Sequence, residues 1–209
     1  MGVTEQAFAP QLVLASGSPR RRELLEGLGF KLLVRAADID ETPATDEAPL
    51  ALVERLARSK AEAVHAQLRA EDPAFDLPVL GSDTIVVLDG EVLGKPRDRE
   101  DALSMLGRLS GSTHDVLTGV AVVSDTVQVV VSRSQVRFRT IEGEEAEAYW
   151  ATGEPRDKAG AYGIQGIGGI FVERLEGSHS GVMGLPVAET ETLLRAAGVD
   201  VWRHRVLPR

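Results

Sequence analysis

The chain contains no cysteine, few aromatic residues and no long hydrophobic run, and each absence narrows the classes of protein to which it can belong. Without cysteine there is no disulfide, no thiolate nucleophile and no cysteine-bound zinc, which suits a reducing compartment. The apolar runs are too short to cross a bilayer, and residues 1–11 lack the charged start and apolar stretch of a signal peptide. We therefore expect a cytoplasmic protein with no membrane partner.

Several catalytic motifs are also missing. No glycine-rich stretch ends in Gly-Lys-Ser or Gly-Lys-Thr, and residues 163–169 do not have the glycine spacing of a dinucleotide-binding loop. The four histidines are scattered, and residues 177–181 place a histidine where an esterase elbow has its serine. These absences argue against kinase-like, Rossmann, esterase and histidine-bound zinc chemistry.

What is present indicates one acidic α/β domain. A chain of 209 residues, 43% of them hydrophobic, can bury a substantial core, and we assign residues 12–202 to a single domain between an N-terminal tail, residues 1–11, and a basic C-terminal tail, residues 203–209. The formal net charge of -9 would repel a nucleic-acid polymer. Any phosphate site must therefore be a local basic pocket, suited to a small phosphorylated ligand.

Apolar stretches of strand and helix type alternate along the chain, which predicts a mixed sheet in an α/β fold. We predict strands at residues 12–15, 31–37, 77–88, 92–93, 116–123, 127–138 and 170–175, and helices from residue 19 and at 50–70, 99–109, 142–151 and 186–197. Asp89-Gly90 predicts a hairpin turn, and residues 124–126 predict another. The glycine-rich residues 160–169 are predicted to form a loop.

Three arginines follow a strand and a polar turn near the start of the chain. Leu12–Ala15 is typical of a buried strand, Ser18 is a good N-cap, and Pro19 suits the first position of a helix. Arg20–Arg22 then place cations at the positive end of the helix dipole, which is unfavourable unless an anion binds there. The arrangement predicts a phosphate site.

Helix geometry limits how these arginines can act together. Successive helical residues are about 100° apart, so at most two of the three can face one ligand. We expect Arg20 and Arg21 to do so and Arg22 to face solvent. The alternative is a solvated basic turn, which is common on protein surfaces.

The tripeptide Ser-Asp-Thr occurs twice, at residues 82–84 and 124–126. Asp83 lies between apolar runs, where a carboxylate is costly without a partner, whereas Asp125 lies in a predicted hairpin turn, where aspartate is an ordinary turn former. We interpret Asp125 as structural. Two interpretations of Asp83 remain open: a functional carboxylate, or a buried one bonded to nearby backbone N–H groups.

Three further charged residues give weaker signals. Lys95 follows the hairpin after Asp83, which would return it toward the same strand end. Lys60 lies on the long helix among other charged residues, and we interpret it as solvated. Glu41 ends an acidic run that offers oxygen ligands to a divalent cation, but in so acidic a chain we interpret the run as surface.

The glycine-rich loop carries one further candidate, Gln165. Glycines allow a ligand to approach the backbone, and a glutamine amide can read the edge of a base. The alternative is a tight corner between elements, which explains the glycines but not Gln165.

Four separated motifs carry a resemblance that spans residues 12 to 194. They are Ala15-Ser16-Gly17-Ser18-Pro19-Arg20-Arg21, Gly81-Ser82-Asp83-Thr84, Gly94-Lys95-Pro96, and residues 157–166. In this order they resemble the Maf family of nucleoside triphosphate pyrophosphatases. Residues 162–165, Tyr-Gly-Ile-Gln, resemble the branch that acts on dTTP and UTP.

The resemblance implies hydrolysis of a nucleoside triphosphate between its α and β phosphates, in a role of nucleotide-pool housekeeping. It also implies the two-lobed mixed α/β fold of the inosine triphosphatase group, with a central cleft, and a homodimer. A divalent cation, Mg or Mn, would activate the attacking water, because aspartate alone is a weak base for water.

The resemblance also assigns roles by position. Asp83 would be the general base and, with Glu41, would bind the metal. The substrate would be bound by Ser16, Arg20, Arg21, Lys60 and Lys95. Specificity would be set by Arg20, Thr84 and Gln165. Modified pyrimidine triphosphates are further candidate substrates, and two alternatives stay open: a nucleotide-binding regulator of septum formation and cell division with little catalysis, and a 7-methyl-GTP pyrophosphatase.

Overall fold

One mixed sheet runs through the protein, as the alternating pattern predicts. The computed structural model describes residues 10–202, so residues 1–9 of the predicted N-terminal tail and the predicted C-terminal tail lie outside the described residues. The described part of the chain has seven strands, which are β1 (Leu12–Leu14), β2 (Leu32–Val34), β3 (Val79–Leu88), β4 (Glu91–Leu93), β5 (Thr113–Val123), β6 (Val127–Phe138) and β7 (Val172–Glu176).

Within residues 10–202, six α-helices and three short 3-10 helices accompany these strands. The α-helices are α1 (Pro19–Gly27), α2 (Pro49–Glu71), α3 (Arg99–Leu109), α4 (Gly143–Ala151), α5 (His179–Met183) and α6 (Val187–Ala196). The 3-10 helices are Glu154–Asp157, Ala159–Ala161 and Ile167–Phe171. Within the described residues, no helix is both long enough and apolar enough to cross a membrane.

The sheet mixes parallel and antiparallel pairing. Its strand order is β2-β1-β3-β5-β6-β7, with β4 paired to β3 beside this path. β1 runs parallel to both β2 and β3, whereas β3, β5, β6 and β7 pair antiparallel in turn. Asp89 and Gly90 both have positive φ in the turn between β3 and β4, which is the geometry of the hairpin that their sequence predicts.

Most predicted elements form, and three differ from the prediction. β2 is shorter than residues 31–37, because only residues 32–34 pair with β1. The glycine-rich stretch is not a plain loop, since two of the 3-10 helices lie within or overlap it. The short helix α5 is not predicted, although Ser178 caps it by accepting a hydrogen bond from Gly181 N and Gly184 ends it with φ of 115°.

Helix α2 lies unusually close to the sheet because two glycines face it. A Cβ on Gly81 in β3 would stand 2.5 Å from the carbonyl oxygen of Ala57, and one on Gly119 in β5 would stand 2.5 Å from that of Val53. The absence of a side chain at both positions lets the backbones approach. This contact brings the middle of α2 against the centre of β3.

The buried apolar residues form clusters in two lobes of the fold. On one half of the sheet, α1 and α6 pack on one face through Leu25 and Leu194, and α2 packs on the other through Ala57. The other half joins α3 and α4 to the glycine-rich segment around Leu106 and Phe138. A cleft lined by residues of both halves lies between them.

Candidate active site

The cleft has a volume of about 580 Å³ and collects every residue that the sequence singles out as a site candidate. Its lining includes Ser16, Arg20, Arg21, Glu41, Lys60, Asp83, Thr84, Lys95 and Gln165. These residues come from the start of α1, from α2, from β3 and from four loops. The structure thus brings them together, while the role of each one stays a prediction.

The turn after β1 forms the base of this cleft. Ala15 N donates to Leu80 O of β3, which fixes the end of β1, and α1 begins at Pro19 as predicted. Ser18 is the N-cap residue, but its side chain makes no capping hydrogen bond, contrary to the expectation. The hydroxyl of Ser16 instead accepts from Ser18 N at 3.2 Å.

The three arginines of α1 separate by direction, as the geometry of a helix requires. Arg22 is exposed and pairs with Glu26 at 2.7 Å, one helical turn along the surface. Arg20 is partly exposed at the cleft, and its guanidinium lies 3.5 Å from a carboxylate oxygen of Asp157. Arg21 is buried at the cleft. The predicted split of two arginines toward the cleft and one toward solvent is confirmed.

Arg21 joins four parts of the chain through its guanidinium. Its Nε donates to Gly184 O at 2.8 Å, and its two terminal nitrogens donate to Ser16 Oγ and Thr84 Oγ1, both at 3.1 Å. Burial lowers the pKa of Arg21, and the nearby Asp83 carboxylate opposes that shift. Two of its five N–H groups take no part in these three bonds, so the side chain can position its neighbours and still donate to a ligand.

Asp83 and Glu41 meet on one ammonium group. Lys60 Nζ donates to Asp83 Oδ1 at 2.7 Å and lies 2.9 Å from Glu41 Oε1. Lys60 and Asp83 are both 8% exposed, whereas the Glu41 side chain is 53% exposed. One sequence interpretation is therefore wrong, because Lys60 is buried and not solvated. Glu41 is at the surface, as interpreted, and pairs there with Lys60. Asp83 thus has a charged side-chain partner, and its role stays a prediction.

Two other lining residues are exposed and approach the cleft from loops. Lys95 follows β4, and its loop is fastened to the glycine-rich segment because Gly160 N donates to Gly94 O at 3.0 Å. Gln165 lies exposed in a turn closed by Gly166 N donating to Gly163 O at 3.2 Å. Both side chains are thus available to a ligand in the cleft.

The tyrosine of the glycine-rich motif is largely structural. Tyr162 is 5% exposed, and its hydroxyl lies 2.9 Å from His114 Nε2. Burial lowers the pKa of His114 to about 4, so its ring is neutral near pH 7. The pair packs edge to face with Phe138 in the core and supports the segment that carries Gln165.

Sequence reasoning missed the part of the site that α5 supplies. Gly184 O accepts from Arg21 and also from Ser82 Oγ, at 3.0 Å, and Gly181 O accepts from Thr118 Oγ1 at 2.8 Å. Thr118 in turn lies 3.0 Å from the hydroxyl of Thr84. A serine N-cap followed by a glycine and then a proline marks a short helix, and this signal could have found α5.

Comparison with known proteins gives the family. The family model described as Maf-like protein matches residues 11–197, and the chain belongs to the Maf family, as its four motifs predict.

Related proteins match over nearly their whole length. A dTTP/UTP pyrophosphatase from Hahella chejuensis (strain KCTC 2396) is 52% identical over 92% of this chain and 94% of its own. Another dTTP/UTP pyrophosphatase, from Alkalilimnicola ehrlichii, is 53% identical over 94% of this chain and 98% of its own. A third, from Vibrio cholerae serotype O1, is 53% identical over 88% of this chain and 96% of its own.

Proposed function

We propose that this protein is a nucleoside triphosphate pyrophosphatase that hydrolyses dTTP and UTP to the monophosphate and pyrophosphate, in a nucleotide-pool housekeeping role. The observation that carries the proposal is a cleft in which Asp83, paired with Lys60, shares its walls with Arg20 and Arg21. The relatives named dTTP/UTP pyrophosphatase, at about half identity over most of the chain, support this choice of substrate.

The arrangement suits displacement at phosphorus, which demands positioning and charge neutralisation more than covalent chemistry. In the proposed mechanism Asp83 orients the attacking water and accepts its proton. Lys60 holds that carboxylate in place, at 2.7 Å. Arg20, Arg21, Lys95 and the hydroxyl of Ser16 hold the phosphates, with the free N–H groups at the start of α1.

The donor set fits a divalent cation that is shared with the substrate. Asp83 and Glu41 converge within hydrogen-bond distance of one point, the Lys60 ammonium, so both carboxylates can approach one ion. Among residues 10–202, however, no group of three or more metal-ligating side chains occurs. Magnesium is commonly held by one or two carboxylates together with substrate phosphates, and Mg or Mn would here neutralise phosphate charge and activate water.

Selectivity in this proposal rests on Arg20, Thr84 and Gln165, which all line the cleft. Gln165 offers both a donor and an acceptor, as the edge of a pyrimidine base requires. Modified pyrimidine triphosphates are further candidate substrates. Homodimer assembly and a cytoplasmic location are also part of the proposal, and light scattering of the purified protein tests the first of these.

One incubation tests the proposed function directly. The protein is mixed with dTTP or UTP and magnesium, and the products are separated by ion-exchange chromatography. We expect monophosphate and pyrophosphate in equal amounts. Release of orthophosphate and the nucleoside diphosphate would contradict cleavage between the α and β phosphates.

A panel of nucleotides separates the alternatives. Binding without any product would indicate a nucleotide-binding regulator, such as one of septum formation. Preference for 7-methyl-GTP over dTTP and UTP would indicate the methylated-guanosine branch. In either case the proposed substrate assignment would be wrong.

A further inference from the structure

The side chains of Glu154 and Tyr149 hold the turn that carries Gln165. The Glu154 carboxylate accepts hydrogen bonds from Ile167 N at 2.9 Å and from Gly168 N at 3.1 Å, immediately after the turn. The hydroxyl of Tyr149 accepts from Gly163 N at 3.0 Å, at the first residue of the turn. Both sides of the turn are therefore anchored.

The two anchoring side chains also hold each other. Tyr149 donates its hydroxyl proton to Glu154 Oε1 at 2.7 Å, so the hydroxyl is both donor and acceptor. Burial raises the pKa of Glu154, but hydrogen bonds from Tyr149 and from the two backbone N–H groups together lower it by more. The net pKa of Glu154 therefore lies below the ordinary value. A charged carboxylate is the stronger acceptor.

The glycines of the motif follow from this arrangement. A Cβ on Gly166 would overlap the Glu154 carboxylate, and a Cβ on Gly168 would stand 2.5 Å from the Tyr149 hydroxyl. A Cβ on Gly163 would stand 2.8 Å from Cε of Lys158. These glycines therefore let the backbone close around Glu154 and Tyr149, which explains why the turn is so rich in glycine.

The same glutamate is connected to the other side of the cleft. Its carbonyl oxygen accepts from Lys158 Nζ at 2.6 Å, and this ammonium also donates to Asp157 at 2.8 Å. Asp157 in turn faces the guanidinium of Arg20 at 3.5 Å. One short 3-10 helix, Glu154–Asp157, thus stands between two residues proposed to set selectivity, Gln165 and Arg20.

We infer that Glu154, with Tyr149, is a positioning residue that fixes the place of Gln165 and thereby sets selectivity for the base. Neither side chain is among the residues that line the cleft, so the effect passes through the turn. The inference rests on the proposed function and deepens it. It requires that Glu154 influence which nucleotide is preferred, and that it do so through Gln165.

The test is a double-mutant cycle on selectivity. Glu154→Gln keeps the shape of the side chain but removes the charge, and one of its two acceptor oxygens becomes a donor. We expect the ratio of kcat/KM for dTTP to that for dGTP to fall about tenfold in this variant, mainly through KM for dTTP. In a Gln165→Ala background the same change should produce no further fall, because coupled residues are not additive.

Matched variants separate positioning from loss of structure. Glu147→Gln changes a glutamate on α4 that pairs with Arg99 at the surface, and we expect it to leave the ratio unchanged. Tyr149→Phe should lower the ratio in the same direction as Glu154→Gln. A full tenfold fall that persists in the Gln165→Ala background, or an unchanged ratio in Glu154→Gln, would overturn the inference.

Nucleotide binding can be measured without turnover and gives a second test of the inference. Calorimetry with dTTP and dGTP in the Asp83→Asn background should show the same loss of preference on Glu154→Gln, again only when Gln165 is present. If the wild-type protein releases no pyrophosphate, the proposed function fails, while this binding cycle still supports or overturns the role of Glu154.

Discussion

The two Ser-Asp-Thr tripeptides have the same residues and very different surroundings. Residues 82–84 lie at the centre of β3 and pair with β5, and Asp83 there is 8% exposed with Lys60 as its partner. Residues 124–126 form the turn between β5 and β6, closed by Ser124 N donating to Thr126 O, and Asp125 is exposed.

The difference comes from what the rest of the fold places against each copy. Helix α2 lies on the first tripeptide because Gly81 and Gly119 admit it, and Gly184, the residue that ends α5, accepts a hydrogen bond from Ser82 Oγ. Within residues 10–202, neither helix makes a hydrogen bond or an ion pair with residues 124–126. The residue types alone therefore do not create a site; two helices turn one copy into part of a cleft and leave the other as a turn.

Substitution of the two aspartates, Asp83 and Asp125, should give the largest difference in activity. We expect Asp83→Asn to lower pyrophosphate release by about 10²–10⁴-fold, because the side chain can no longer accept a proton, while dTTP still binds. Asp125→Asn, the same change in the same tripeptide, should retain wild-type activity. Steady-state assays measure pyrophosphate release, and calorimetry measures dTTP binding. Undiminished pyrophosphate release by Asp83→Asn would contradict the assignment of Asp83 as the general base.

Lys60 pairs with Asp83, whereas Asp125 has no such partner within the described residues. Removing the Lys60 ammonium should leave the carboxylates of Asp83 and Glu41 free to bind a cation. We expect Lys60→Met to raise the affinity for free Mn²⁺ about tenfold in the absence of nucleotide, since a competing ammonium is lost from Asp83 and Glu41. Electron paramagnetic resonance of unbound Mn²⁺ measures this.

Lys95→Met is the matched control for that change. Lys95 lines the same cleft but forms no ion pair within residues 10–202, so its loss should leave Mn²⁺ affinity nearly unchanged. Unchanged or weaker Mn²⁺ binding by Lys60→Met would argue against a shared metal position at the two carboxylates.

The sequence predicts those features of the two tripeptides and their surroundings that depend on neighbouring residues in the chain. The start of α1 at Pro19, the bounds of α3 and the contrast between Asp83 and Asp125 follow from flanking residues, and the structure agrees. The burial of Lys60 does not follow, because its helix neighbours are charged and the close approach of α2 depends on glycines in two distant strands.

The same limit applies to Arg21 and Glu154. The bond from Arg21 to Gly184 spans 163 positions of the chain, and no local pattern indicates it. Glu154 looks like one more charge before a glycine-rich stretch, and only the folded turn shows that its carboxylate holds that stretch. Residue types predicted the members of the cleft, but not the contacts that position them.

The threonines should differ less than the aspartates. Thr84→Val keeps the shape but removes the hydroxyl that accepts from Arg21, and we expect kcat/KM for dTTP to fall about fivefold as the guanidinium loses one of its fixed acceptors. Thr126→Val controls for the change of residue type at the exposed turn and should leave kcat/KM unaltered. Equal effects of the two variants would mean that the bond to Arg21 does not position the site.

The serines should differ in stability rather than in chemistry. Ser82 is fully buried and donates to Gly184 O at 3.0 Å, so Ser82→Ala should lower the free energy of unfolding by about 1 kcal/mol. The cost stays modest because Gly184 O keeps the bond from Arg21 Nε at 2.8 Å and is not left unsatisfied. Ser124 is the half-buried residue of the other turn, and Ser124→Ala should stay within about 0.5 kcal/mol of the wild type in urea denaturation. If both alanine variants lose the same stability, the contacts with α5 do not distinguish the two tripeptides.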